Sequence, residues 1–199
     1  MAYSNFKLKD LRQRFGIEDT KENLFHNIAP LSLNNQLEDV LLAVESLPLL
    51  SEKSRSEVIV MPILWEMLKR NHFEFSLFSG INLDADIAQG LNGECDFILS
   101  KTPRTFDLRS PIFTLIEAKD NDIEAGVPQC AAQMLGARIY NEQEGYITPC
   151  IYGCVTTGTE WQFLKLSDNQ LIVNSRLYYL SELIHILGVL QYIIDSFKI

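Results

Sequence analysis

GECDFILSKTPRTFDLRSPIFTLIEAK, residues 93–119, decides how the rest of the chain is read. Its first part, GECDFILS (93–100), is a short apolar run opened by a glycine, and its last, IFTLIEAK (112–119), is apolar from Ile112 to Ile116 apart from Thr114. A polar loop with Pro103 and Pro111 separates them. Both read as strands, the second as a central strand covered on both faces. Strand side chains alternate, so Cys95 and Phe97 are expected to face away from Asp96. Glu117 and Lys119 share a face, with Ala118 on the opposite one.

Charge at the end of such a strand needs a partner, because an unpaired buried charge is costly. A divalent cation supplies one. Asp96 and Glu117 offer hard oxygen ligands to Mg²⁺, or to Mn²⁺, and the Ala118 carbonyl could add a third; Mg²⁺ takes only one or two carboxylates from protein. Water activated by that ion beside Lys119 would be the nucleophile, with the ion and Lys119 stabilising charge on a pentacovalent phosphate. The chemistry expected is hydrolysis of a phosphodiester bond. The competing reading is a salt-bridged strand end in which Lys119 only pairs with Glu117, and an E-x-K tripeptide alone does not choose between the two.

Upstream, Leu37, Val40, Leu41, Val44 and Leu47 recur at helical spacing, which predicts a helix over 37–50 with Pro48 marking its end. SEKSRSEVIVMPILWEMLKR (51–70) predicts another, with Ser54 and Glu57 spaced as a capping box and Pro62 as a kink or an early-turn residue. FEFSLFSG (73–80) and INLDADIAQG (81–90) alternate as strands do. Downstream, residues 123–143 predict a helix with Pro128 in its first turn, 148–158 and 160–166 two strands about Gly158, and 178–197 a closing helix. Trp65 and Trp161 are expected in the core. An α/β sandwich follows, a mixed central sheet flanked by helices. Residues 1–35 form an N-terminal helical extension and 36–199 the main domain.

The 199 residues are 47% hydrophobic and 22% charged, which excludes global disorder. With 17 Lys+Arg against 26 Asp+Glu the net charge is −9, so the chain is no general polycation for nucleic acid or anionic membrane. Contact with nucleic acid needs local basic groups: the N-terminal arm, Lys53 with Arg55, Lys69 with Arg70, or Lys101, Arg104 and Arg109. A homodimer or partner subunit could supply further positive surface. The most apolar stretch, Leu183 to Ile194, is broken by His185 and Gln191 and falls short of the roughly 18 apolar residues of a membrane span. No secretory signal opens the chain, and Cys95, Cys130, Cys150 and Cys154 read as reduced thiols, so a cytoplasmic protein is expected. His26, His72 and His185 lack metal-ligand spacing, and no P-loop motif is present.

The ordered set of Asp96, Glu117-Ala118-Lys119 and the neighbouring helices resembles the PD-(D/E)XK nuclease superfamily over about residues 57–166. Asp96 stands at the first carboxylate, with Cys95 before it rather than Pro, and Glu117 and Lys119 at the E-x-K. Glu57 is the candidate for the acidic residue on the preceding helix, and Gln129 for the glutamine on the following one. Gln133 stands where a tyrosine often lies. IYGCVTTGTEWQFLKL (151–166) is similar to the strand pair near this core in type I restriction subunit N-terminal domains. The resemblance implies a restriction-endonuclease-like fold and a Mg²⁺-dependent nuclease acting on DNA. Inactive members that serve as binding or scaffold subunits are the alternative. Glu94 shares the expected face of Asp96 as a decoy, and Asp120, Asp122 and Glu124 read as solvated loop charge.

Overall fold

In chain order the computed structural model contains α1 (Leu8–Phe15), β1 (Glu18–Glu22), α2 (Asn35–Val44), α3 (Glu52–Arg55), a π-helical turn (Ser56–Val60) and α4 (Met61–Arg70). There follow β2 (Ser76–Asn82), β3 (Glu94–Ser100), β4 (Ile112–Ala118), α5 (Ile123–Gln143), β5 (Ile151–Thr156), β6 (Glu160–Ser167), β7 (Gln170–Asn174), β8 (Tyr178–Tyr179) and α6 (Leu183–Asp195). Residues 2–44, 46–49 and 51–198 are described.

The strands form one open eight-stranded sheet in the order β1-β7-β6-β5-β4-β3-β2, with β8 on β6. It is mixed and mostly antiparallel; β4 with β5 and β1 with β7 are the parallel pairs. A parallel pair needs a long crossover, and α5 is the one between β4 and β5. Every residue of β4 is buried, as expected of a strand covered on both faces. One face packs against α5 and the N-terminal segment through Leu115, Cys130, Met134, Leu135 and Tyr3. The other packs against α4 and α6 through Ile63, Met67, Phe113, Ile186 and Leu190.

Several expectations are corrected. The helix predicted over 37–50 ends at Val44; Glu45 and Leu50 lie outside the described residues. The strand expected from Phe73 starts at Ser76, because His72 and Phe73 turn the chain with φ of 54° and 59°. Residues 83–93 are a loop, since Asp84 and Asp86 spend their carboxylates on the main-chain N–H groups of Gly93 and Gln89. The closing helix starts at Leu183, after the short strand β8. Trp65 is 48% exposed, edge-on to Phe73 with ring centroids 5.9 Å apart, rather than in the core; Trp161 is fully buried. Strands β1 and β7 were not expected. EDTKE in β1 has no apolar alternation, and its register comes wholly from parallel pairing with β7. Residues 1–35 therefore hold a sheet strand as well as a helix, and Phe6 and Leu11 lie in the core.

Candidate active site

The site is built where β3 and β4 part. Their paired residues run only to Phe97 opposite Ile116. Beyond that point the Asp96 Oδ2 takes over as acceptor, receiving the Ala118 N–H at 2.7 Å. Asp96 is thereby held beside the β4 backbone. On its other side β3 pairs with β2 at a kink, where Gly80 has φ 63°. The alternation breaks there: Cys95 packs in the α5-side core and Phe97 in the opposite one, so the two do not share a face as expected. On the far side of β4 the Lys119 N–H donates to the Thr156 carbonyl at 2.8 Å and extends the contact with β5 by one residue.

Glu117 is 2% exposed and faces α5. Its Oε1 accepts from Lys119 Nζ at 2.7 Å and its Oε2 from Gln133 Nε2 at 2.7 Å. Lys119 Nζ also donates to Gln129 Oε1 at 3.2 Å. Both helix glutamines thus reach the E-x-K pair, one through each charged partner. Gly126 makes the approach possible: a Cβ there would lie 2.5 Å from Val155 Cγ1 and 3.0 Å from Lys119 Cγ. Asp122 caps this helix, its Oδ1 accepting from Ala125 N at 3.0 Å, so it is more than loop charge.

Burial, and then the charge of Asp96, push the Glu117 carboxyl up to about 7. Asp96 is itself pushed up by burial, against the opposing pull of the Ala118 N–H and Lys119. Burial disfavours the Lys119 ammonium, but Glu117, Glu52 and Asp96 together outweigh it and the pKa is raised. A buried carboxylate raised further by a half-buried acid beside it is a place where a cation would relieve the repulsion.

The Asp96 side of the site opens into a cleft of about 390 Å³ bordered by Glu52, Glu57, Glu94, Asp96 and Ala118. Glu57 is exposed there and pairs with Lys53 at 3.8 Å. Glu52, which the sequence does not single out, is the helix carboxylate that senses the site. Burial raises its pKa, and the charges of Lys119, Asp96 and Asp120 act on it in turn. Its one sequence signal is its place just after the Ser51 cap, in the first turn of α3. Arg55 ties that helix to the chain leaving β4, donating to the Asp120 carbonyl and to Asn121 Oδ1. Lys69 and Arg70 are engaged by Glu66, Arg109 by Asp107 and, in the N-terminal arm, Arg12 by Glu18 and Asp19, so these basic groups, like Lys53, have acidic neighbours.

Among the described residues no group of three or more His, Cys, Asp and Glu is placed to hold a metal ion. Asp96 and Glu117 nonetheless suit a hard divalent cation. The charge of Asp96 acts on Glu117, and Ala118, between Glu117 and Lys119 on β4, borders the cleft together with Asp96. Among the described residues no helix is long and apolar enough to cross a membrane. Comparison with family models, curated proteins and solved structures finds no match to the chain.

Proposed function

We propose that the chain is a Mg²⁺-dependent phosphodiester hydrolase of the restriction-endonuclease-like fold, acting on nucleic acid and foremost on DNA. The observation that carries this reading is the buried Glu117, held by Lys119 and Gln133 and electrostatically opposed by Asp96 across the Ala118 main chain. Asp96 and Glu117 would hold the ion, with the Ala118 carbonyl as the main-chain candidate. The ion would supply Lewis acidity and an activated water. Lys119 places a positive charge where a phosphate gains negative charge. Glu117 and Gln129 fix the direction of its ammonium, and Gln133 fixes Glu117. An acidic chain with this site repels phosphate until the ion is bound. The reading therefore includes a partner subunit, or a homodimer that brings the local basic groups of two copies together, and it places the protein in the cytoplasm.

A second reading has its own support. Both Glu117 oxygens already accept from Lys119 and Gln133, which satisfies the charge without an ion, as a non-catalytic binding or scaffold subunit of the same fold would require. Incubation with supercoiled, linear and single-stranded DNA and with RNA, in Mg²⁺ or Mn²⁺, tests the choice. Hydrolysis that disappears in Glu117→Ala and Lys119→Ala supports the enzyme. Hydrolysis that persists in both variants, or in excess chelator, removes the assignment. No hydrolysis, together with no calorimetric heat of Mg²⁺ binding, leaves the scaffold.

A further inference from the structure

A second cavity is remote from phosphodiester chemistry in character. It is a groove of about 790 Å³ between α2 and the start of α6, floored by Ile59 of the π-helical turn. Its walls carry Leu42, Leu47 and Ile184, which are 58%, 49% and 40% exposed. Leu41, Leu180 and Leu183 lie deeper. Leucines presented to water around one groove are not what folding alone selects, and such a patch marks a binding surface.

No basic side chain lines it: Arg55, which donates to the Leu49 carbonyl at 3.5 Å, is also engaged by the Asp120 carbonyl and Asn121 Oδ1. Neither 34–50 nor 177–197 contains a Lys or Arg. The charged side chain lining the groove is Glu38, with Asp39 beside it on α2. Glu182, at the head of the other wall, is paired with Arg176 at 2.9 Å. A polypeptide that fits must therefore present aliphatic side chains inward and positive charge toward α2. The length suits a helix: α2 has 10 residues, about 15 Å, and anchors at i, i+3, i+4 and i+7 of a docked helix span about 10 Å.

We propose that this groove receives an amphipathic helix of a partner polypeptide, with a leucine-type apolar face and a Lys/Arg flank lying against Glu38. The other occupants fit less well. A second copy brings a net charge of −9 to an acidic rim. An anionic membrane surface meets the same repulsion. A free aliphatic molecule would be left uncovered by walls as exposed as Leu42 and Leu47. Nothing in this proposal depends on the nuclease reading.

The probe is a synthetic fluorescent helical peptide with Leu at i, i+3, i+4 and i+7 and Lys on the flanks, titrated with the full chain by fluorescence anisotropy. Saturable binding is expected, weakened about tenfold by Leu42→Glu and measurably by Glu38→Lys. The same peptide with Glu for Lys should bind far more weakly. Both substituted residues are exposed, and thermal melts check each fold; should Leu42→Glu fail to fold, Glu38→Lys still decides. The proposal is overturned by absent binding, by equal binding of the two peptides, or by binding that neither variant alters. It is also overturned if the protein alone sediments as a dimer that Leu42→Glu dissolves, or if a fluorescent fatty acid fills the groove and displaces the peptide.

Discussion

Replacing Glu117 by Gln changes the way stability depends on pH, and the size of that change can be worked from the site. The folded carboxyl titrates near 7 against an ordinary value of 4.5, burial being the main cause and Asp96 the next. The folded state therefore holds a proton that the unfolded chain releases between those two pH values. Stability contributed by this group is complete below about pH 4.5 and is lost as pH rises toward 7. At about 1.4 kcal/mol per pH unit, the difference of 2.5 units corresponds to about 3–4 kcal/mol as an upper limit. Asp96 is shifted in the same direction by burial, and it is present in both proteins being compared. The raised Lys119 pKa belongs to alkaline pH and does not enter this window. Urea denaturation of metal-free wild type and Glu117→Gln from pH 4.5 to 8 is the assay. The wild type should lose stability relative to the variant across that range, and Mg²⁺ at pH 8 should restore part of the loss in the wild type alone. Parallel profiles would refute the reasoning, because they would mean that Glu117 is ionised as readily in the fold as in water.

Other parts of the structure carry their own expectations. Gly126→Ala drives a methyl into Val155 and the stem of Lys119; it should cost about 1–3 kcal/mol in denaturant and reduce hydrolysis beyond what the stability loss explains. Asn141, fully buried, donates to the Ile112 carbonyl and accepts from its N–H, each at 2.7 Å. Asn141→Ala should cost about 2–5 kcal/mol by orphaning both, seen as a lower urea midpoint at an unchanged slope. Ser51→Ala removes the acceptor of Ser54 N at 3.1 Å and should cost about 1 kcal/mol. Glu57→Ala, with its partner Lys53 equally in solvent, should leave Mg²⁺ affinity nearly unchanged, whereas Glu52→Gln should alter it; calorimetry distinguishes the two.

The central part of this architecture is legible in the sequence because burial on two faces leaves a plain signature. Ile112–Ile116, apolar on both alternations apart from Thr114, proves to be the fully buried β4, and the helix expected over 123–143 is α5 with the same bounds, although Pro128 lies inside it rather than in its first turn. The sheet's outer strand β1 is not legible, because EDTKE at an edge buries nothing and shows no pattern. Exposed Trp65 defeats the usual association of tryptophan with the core by packing on Phe73 instead. At the site, strand alternation rightly puts Glu117 and Lys119 together. It cannot foresee the kink at Gly80 that separates Cys95 from Phe97. Nor can spacing along a helix distinguish Glu52 from Glu57, since only the docking of α3 by Arg55 decides which one faces Lys119.

Crystals soaked in Mn²⁺ and measured at its absorption edge would test the site most directly. An anomalous peak within coordinating reach of both the Asp96 and Glu117 carboxylates is the expected result, with Lys119 still directed toward the same point. A soaked crystal whose only manganese sits on Glu52, Glu57 or Glu94, or one with no manganese in the cleft at all, would contradict the proposed catalytic centre and leave Glu117 and Lys119 as a buried ion pair.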